Sequence, residues 1–175
     1  MDYVSTRGQD GPLGYEEALL SGLARDGGLY LPTDYPAFTE DEIRAMAGLP
    51  YARLAGRIMA RFTDGEIGEA ELAAMAGDAY AEFTDSEVAP LRRLTDRIHV
   101  MELFHGPTIA FKDYAMQFLS RAFDRALQAQ GRQAVILGAT SGDTGSAALE
   151  AFRGRAAVDI FILFPEGRVS PVQQR

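Results

Sequence analysis

The chain has 175 residues, 47% of them apolar and 24% charged, and carries a net charge of −8. That composition can bury a core, and the charge has the wrong sign for a nucleic-acid or anionic-membrane surface. With no cysteine there are no disulfides, thiolate metal sites or cysteine nucleophiles, no apolar run approaches the ~20 residues that span a bilayer, and the N-terminus lacks a signal-peptide core, so a soluble cytoplasmic protein is expected.

Residues 1–92 read as a helical N-terminal region. "YEEALLSGLA" sets Tyr15, Ala18, Leu19, Gly22 and Leu23 at helical spacing, and "DGGLYLP" then breaks the chain and leads into a short extended piece. Thr39 and Glu42 form a capping box before "EDEIRAMAG". "YARLAGRIMARF" and "EAELAAMAGDAYAEF" repeat the helical pattern, and "TDSEVAPLRRL", with Pro90, reads as a connector.

Residues 93–175 read as the start of an α/β domain. "RIHVMELF" is a strand candidate. A long helix follows in "FKDYAMQFLSRAFDRALQAQG", with Ala115, Phe118, Leu119, Ala122, Phe123, Ala126 and Leu127 on its apolar face and Gly131 at its end. "QAVILGA" is a buried strand, "TGSAALEAFRG" a short helix and "AAVDIFILFP" a strand apolar enough for a parallel sheet. Ser170 and Pro171 of "SPVQQR" look like the start of one more helix. The order β-α-β-α-β predicts a doubly wound, mostly parallel sheet. Such a sheet needs further strands and covering helices, so the N-terminal part of a longer protein is expected.

Of the 17 basic residues only Lys112 is a lysine. It stands where the loop "HGPTIAF" meets the long helix, with Ala110 and Phe111 making its surroundings apolar. An ammonium near apolar groups loses solvation, which lowers its pKa and frees the amine for Schiff-base chemistry. The plainer reading is an ion pair between Lys112 and Asp113, or another nearby carboxylate, at a helix start. His105, in the same loop, is a site candidate or a loop brace. His99 lies within a strand and reads as structural, and two histidines without cysteines make a poor metal site. Arg7 of "STRG" either reaches an anion or sits in a surface turn.

"LGATSGDTGSAALEAF" follows a strand and opens a helix, with hydroxyls at Thr140, Ser141, Thr144 and Ser146. Backbone N–H groups at such a helix start form an anion site, at the strand ends where open α/β sheets bind ligands. The nucleotide-hydrolase phosphate loop fails for want of a lysine. The dinucleotide fingerprint fails because the glycines fall at 138, 142 and 145, and the hydrolase elbow fails because Ser141 directly precedes Gly142. The plainer reading is a tight turn packed with small residues.

Taken together, "STRG", "EALLSGLARDGGLYLP", "HGPTIAFKD" and "GATSGDTGSAA" resemble the threonine synthase family, in the right order and over nearly the whole chain. The resemblance implies the fold shared with the tryptophan synthase β chain and the cysteine synthases, with pyridoxal phosphate carried by Lys112 as a Schiff base. Phe111 and Asp143 would contact the cofactor. Ser141, Gly142, Asp143, Thr144 and Gly145 would hold the substrate carboxylate. Relatives with other activities carry Asn where this chain has Asp143. The implied reaction turns O-phospho-L-homoserine and water into L-threonine and phosphate, a carbon–oxygen lyase reaction acting on a phosphate, with Lys112 moving protons at the α and β carbons. In that family the groups facing the cofactor phosphate and pyridine nitrogen come later, so this stretch alone is expected to be inactive. The alternatives are a related pyridoxal-phosphate lyase or dehydratase that releases a keto acid, a cofactor-free Schiff-base aldolase, and a non-catalytic small-anion module.

Overall fold

The computed structural model describes residues 1–140 and 142–170, in two compact units, Met1–Gly77 and Asp78–Arg175. The expected helix start at Pro171 lies outside the described residues. No helix among them is long and apolar enough to cross a membrane.

In the first unit β1 (Tyr3–Ser5) pairs antiparallel with β2 (Tyr30–Pro32), with Val4 opposite Leu31. Between them runs α1 (Tyr15–Ser21), shorter than its apolar spacing predicts. Gly22, at φ +68, stops it, and Leu23 lies beyond the cap, exposed and bridged to Leu29. Next come α2 (Glu40–Ala45), α3 (Tyr51–Thr63) and α4 (Glu69–Tyr80). The capping box at Thr39 is formed: its side chain accepts from Glu42 N, and the Glu42 carboxylate accepts from Thr39 N at 2.8 Å. Gly56 lets α3 approach α4 closely, because a Cβ there would lie 2.8 Å from that of Ala73.

The second unit takes in the connector, and the connector contributes a strand. Its β3 (Leu91–Arg93) forms an antiparallel hairpin with β4 (His99–Met101), Arg92 opposite Val100. The predicted strand around His99 therefore pairs backwards with its predecessor and does not join the parallel sheet. Three-residue strands, exposed throughout, have no apolar alternation to mark them.

The long helix α5 (Lys112–Ala129) is where the sequence places it. Phe118, Ala122, Ala126 and Leu127 are buried, but Ala115 is exposed. Gly131, at φ +62, turns the chain, with Arg132 N donating to Leu127 O. The helix α6 (Asp143–Phe152) then links β5 (Ala134–Ala139) to β6 (Val158–Leu163), which pair in parallel from Ala134–Val158 to Ala139–Leu163. Ala147, Ala151 and Phe152 of α6 are buried, and the Phe152 ring meets Phe123 of α5 edge-on at 6.2 Å. Asp124 of α5, itself buried, accepts from Ala157 N at 2.7 Å and so fixes the entry to β6.

Among the described residues this pair is the only parallel pairing, and the doubly wound sheet is not formed within them. Ile136, Gly138, Ile160 and Ile162 on one face are partly buried. On the other face Val135, Leu137, Phe161 and Leu163 are 65%, 70%, 58% and 61% exposed. Strands of a parallel sheet are ordinarily covered on both faces.

Candidate active site

Lys112 is the first residue of α5, and the residue after it is turned into the protein. Asp113 is fully buried and accepts two hydrogen bonds from Thr108, at 2.8 Å from its N–H and 2.7 Å from its hydroxyl. Asp113 N donates to Ala110 O, and Ile109 N donates to Gly106 O. This winds residues 106–111 into a tight loop. Gly106 has no room for a side chain, since a Cβ there would lie 2.5 Å from the Asp113 carboxylate. Ile109 takes the left-handed conformation, φ +62, which β-branched residues rarely adopt. On the connector side the Tyr114 hydroxyl donates to Val88 O at 2.6 Å.

The ion pair between Lys112 and Asp113 is therefore not formed; the Asp113 oxygens are taken by Thr108. Among the described residues Lys112 has no carboxylate partner. Its Nζ lies 4.9 Å from the centre of the exposed Phe111 ring, a cation–π contact with the residue before it.

His105 is a brace. Its Nε2 lies 2.9 Å from the Glu102 carboxylate and its Nδ1 3.1 Å from the Thr84 hydroxyl, so both ring nitrogens are engaged. Arg92 adds to the cluster, 3.4 Å from Glu102 and 2.9 Å from Asp85. His99 lies exposed in β4. In the first unit Arg7 is engaged locally, donating to Asp26 O at 2.8 Å, while Ser5 donates to the Asp26 carboxylate at 2.6 Å. No group of three or more acidic or histidine side chains suited to a metal occurs among the described residues.

The turn from β5 into α6 is built differently. Thr140 N still donates to Leu163 O, which continues the parallel ladder. Gly142 is the N-cap residue and gives α6 no side-chain cap. Two glycines of this stretch have packing reasons. A Cβ on Gly145 would lie 2.6 Å from Thr140 Cγ2 and 3.2 Å from Ile162 Cγ2, and one on Gly138 would lie 2.8 Å from Ile162 Cδ1. The tight-turn reading thus explains Gly138 and Gly145, but not why a glycine, Gly142, stands at the N-cap. Asp143 is exposed and Thr144 is partly buried; Ser141 lies outside the described residues.

The two regions share a cleft of about 750 Å³, with Pro107, Thr108 and Ile109 on one wall and Thr140, Gly142, Asp143, Gly145 and Ser146 on the other. The lining includes the loop before Lys112 but neither Lys112 nor Phe111. Ile160, Ile162 and Leu149 contribute apolar surface. Sequence reasoning did not single out Thr108 or Ile109 and considered Asp113 only as a salt-bridge partner.

Fold and site together define an α/β unit in which an uncapped helix start at the carboxyl end of a parallel strand faces a loop that delivers a lysine. Residues 2–80 match the family model described as the threonine synthase N terminus. Over all 175 residues the chain is 52% identical to threonine synthase of Pseudomonas aeruginosa, covering 37% of that protein. Its fold superposes on the pyridoxal-phosphate-bound threonine synthase of Brucella melitensis with a TM-score of 0.95 at 56% identity, and on the yeast threonine synthase with 0.92 at 39%. Each match covers 99% of this chain, but 38% and 37% of the respective structure. In sequence and fold the chain is similar to the N-terminal portion of these threonine synthases, and it spans little more than a third of their length.

Proposed function

We propose that the chain forms part of the active site of a pyridoxal-phosphate-dependent threonine synthase, converting O-phospho-L-homoserine and water to L-threonine and phosphate. The observation that carries the proposal is a cleft lined by the loop that leads to a lysine without a carboxylate partner and by the start of α6, whose N-cap Gly142 adds no side chain. The likeness to the pyridoxal-phosphate-bound threonine synthase of Brucella melitensis supports it. Lys112 has the right chemistry to hold the cofactor aldehyde, because its amine is not committed to an ion pair. The Phe111 ring beside it offers an apolar face for packing. When bound, the cofactor supplies an electron sink for charge developing on the substrate carbons.

The residues of this chain do the rest. The α6 start presents its positive dipole end to the substrate α-carboxylate, for which Ser141, Gly142, Asp143, Thr144 and Gly145 are the binding residues of this reading. The Lys112 amine would take protons from the α and β carbons, and protons would be returned at the γ carbon that phosphate leaves and at the α carbon, with water adding at the β carbon. Asp143, in the same turn, would contact the cofactor. The β5–β6 pair is one part of a larger doubly wound sheet, and the 175 residues by themselves turn over little substrate. The protein is cytoplasmic.

The test uses the full-length chain: add pyridoxal phosphate, reduce with borohydride and map the adduct by mass spectrometry. An adduct on Lys112, with threonine and phosphate formed in equal amounts and no keto acid, is the expected result. An unlabelled Lys112 would remove the basis of the proposal.

A further inference from the structure

We propose that Asp113 is a positioning residue for Lys112: its buried carboxylate clamps Thr108 and holds the wound loop that fixes where the lysine side chain begins. The inference rests on the reading of Lys112 given above. A carboxylate that is 0% exposed and makes no ion pair among the described residues is costly to keep, and a simple N-cap would stabilise the helix without burying it. Here both oxygens serve one residue, Thr108, on the wall of the cleft. Between clamp and helix sits Ile109, a β-branched residue at φ +62 and 67% exposed, so core packing does not hold it in that conformation. Strain of this kind persists only where its surroundings impose it, and here those are the Thr108–Asp113 bonds and the tight seat of Gly106. The Tyr114 hydroxyl secures the same helical turn from the connector side. Lys112 is thus a side chain free to swing on a backbone that is not, which suits an amine that must leave and return to one atom.

The experiment compares full-length wild type with Asp113→Asn, Thr108→Val and Thr108→Ser, reading three quantities for each. These are hydrogen exchange of a peptide spanning residues 106–112, borohydride labelling of Lys112, and kcat and KM per cofactor-loaded site. Thr108→Val removes one of the two clamp bonds, and Thr108→Ser keeps both. The expected result is faster exchange confined to the loop peptide in Asp113→Asn and Thr108→Val, with kcat lowered on the order of 10- to 100-fold at little-changed KM, and near wild-type behaviour in Thr108→Ser. Should Asp113→Asn fail to fold, the two Thr108 variants decide alone. Unchanged loop exchange and kcat, with only a lower melting temperature, would overturn the positioning role while leaving Lys112 as the cofactor residue. If wild type itself does not label at Lys112, both readings fall.

Discussion

Neither N-cap residue, Phe111 of α5 or Gly142 of α6, makes a side-chain cap, but at the start of α5 a buried carboxylate reaches back to grip the loop before it, whereas at the start of α6 glycines set the packing. The loop leading to the first start and the second start itself line one cleft, and the difference follows from what each must present. A helix start that delivers a side chain needs its backbone held from behind, so the carboxylate is spent inside the protein. One that presents its own N–H groups must leave them uncovered, so side chains are kept small and the strand below is approached closely.

The largest effect should come from Lys112→Ala in the full-length chain. Activity falls by at least about 10³-fold and borohydride labelling at this position disappears, with little change in the melting temperature. Labelling that persisted elsewhere at full stoichiometry would break the division of labour between the two helix starts. Gly145→Ala probes the other start. Its Cβ would meet Thr140 Cγ2 at 2.6 Å, so either α6 or Thr140 must shift, at a cost of about 1–3 kcal/mol in urea unfolding together with a raised KM. An unchanged KM would show that the α6 start does not hold the substrate. Tyr114→Phe removes the bond to Val88 O and should cost about 1 kcal/mol, with a smaller loss of kcat than Asp113→Asn.

The smallest effect, in the first unit, is a control that leaves both helix starts untouched. Asp26 is held below the ordinary carboxylate range, chiefly by the hydrogen bond from Ser5. Because its folded pKa is depressed, the stabilisation is full above the unfolded value near pH 4 and is lost as pH falls through the folded value. Asp26→Asn should flatten that acid limb of the stability curve without changing Lys112 labelling.

Much of this was legible in the sequence, and the exceptions share a cause. The periodicity of α5, the apolar runs of β5 and β6 and the capping box at Thr39 are local patterns, and each element forms where it was read, although Ala115 is exposed and β5, read as a buried strand, has Val135 and Leu137 exposed. The hairpin of β3 and β4 was hidden because three exposed residues per strand carry no period. Leu23 fitted the helical stripe, but the stripe does not record that Gly22 ends the helix first. Of the site, Lys112 and the 140–145 turn stood out as motifs. The clamp did not, because it depends on an isoleucine at positive φ, a conformation that sequence reasoning assigns to glycine or asparagine. His105 was left open between two roles until its two ring partners, Glu102 and Thr84, could be seen.

The bare face of the β5–β6 pair has a consequence for handling the 175 residues in solution. Val135, Leu137, Phe161 and Leu163 make a sticky stripe on strands whose outer edges are unpaired among the described residues. Opposing it is mutual repulsion from a net charge of −8. Ionic strength controls that repulsion, because the Debye length shrinks from roughly 30 Å at 0.01 M to about 3 Å at 1 M salt. Light scattering of the chain should therefore rise as salt is added, the reverse of an assembly held by ion pairs.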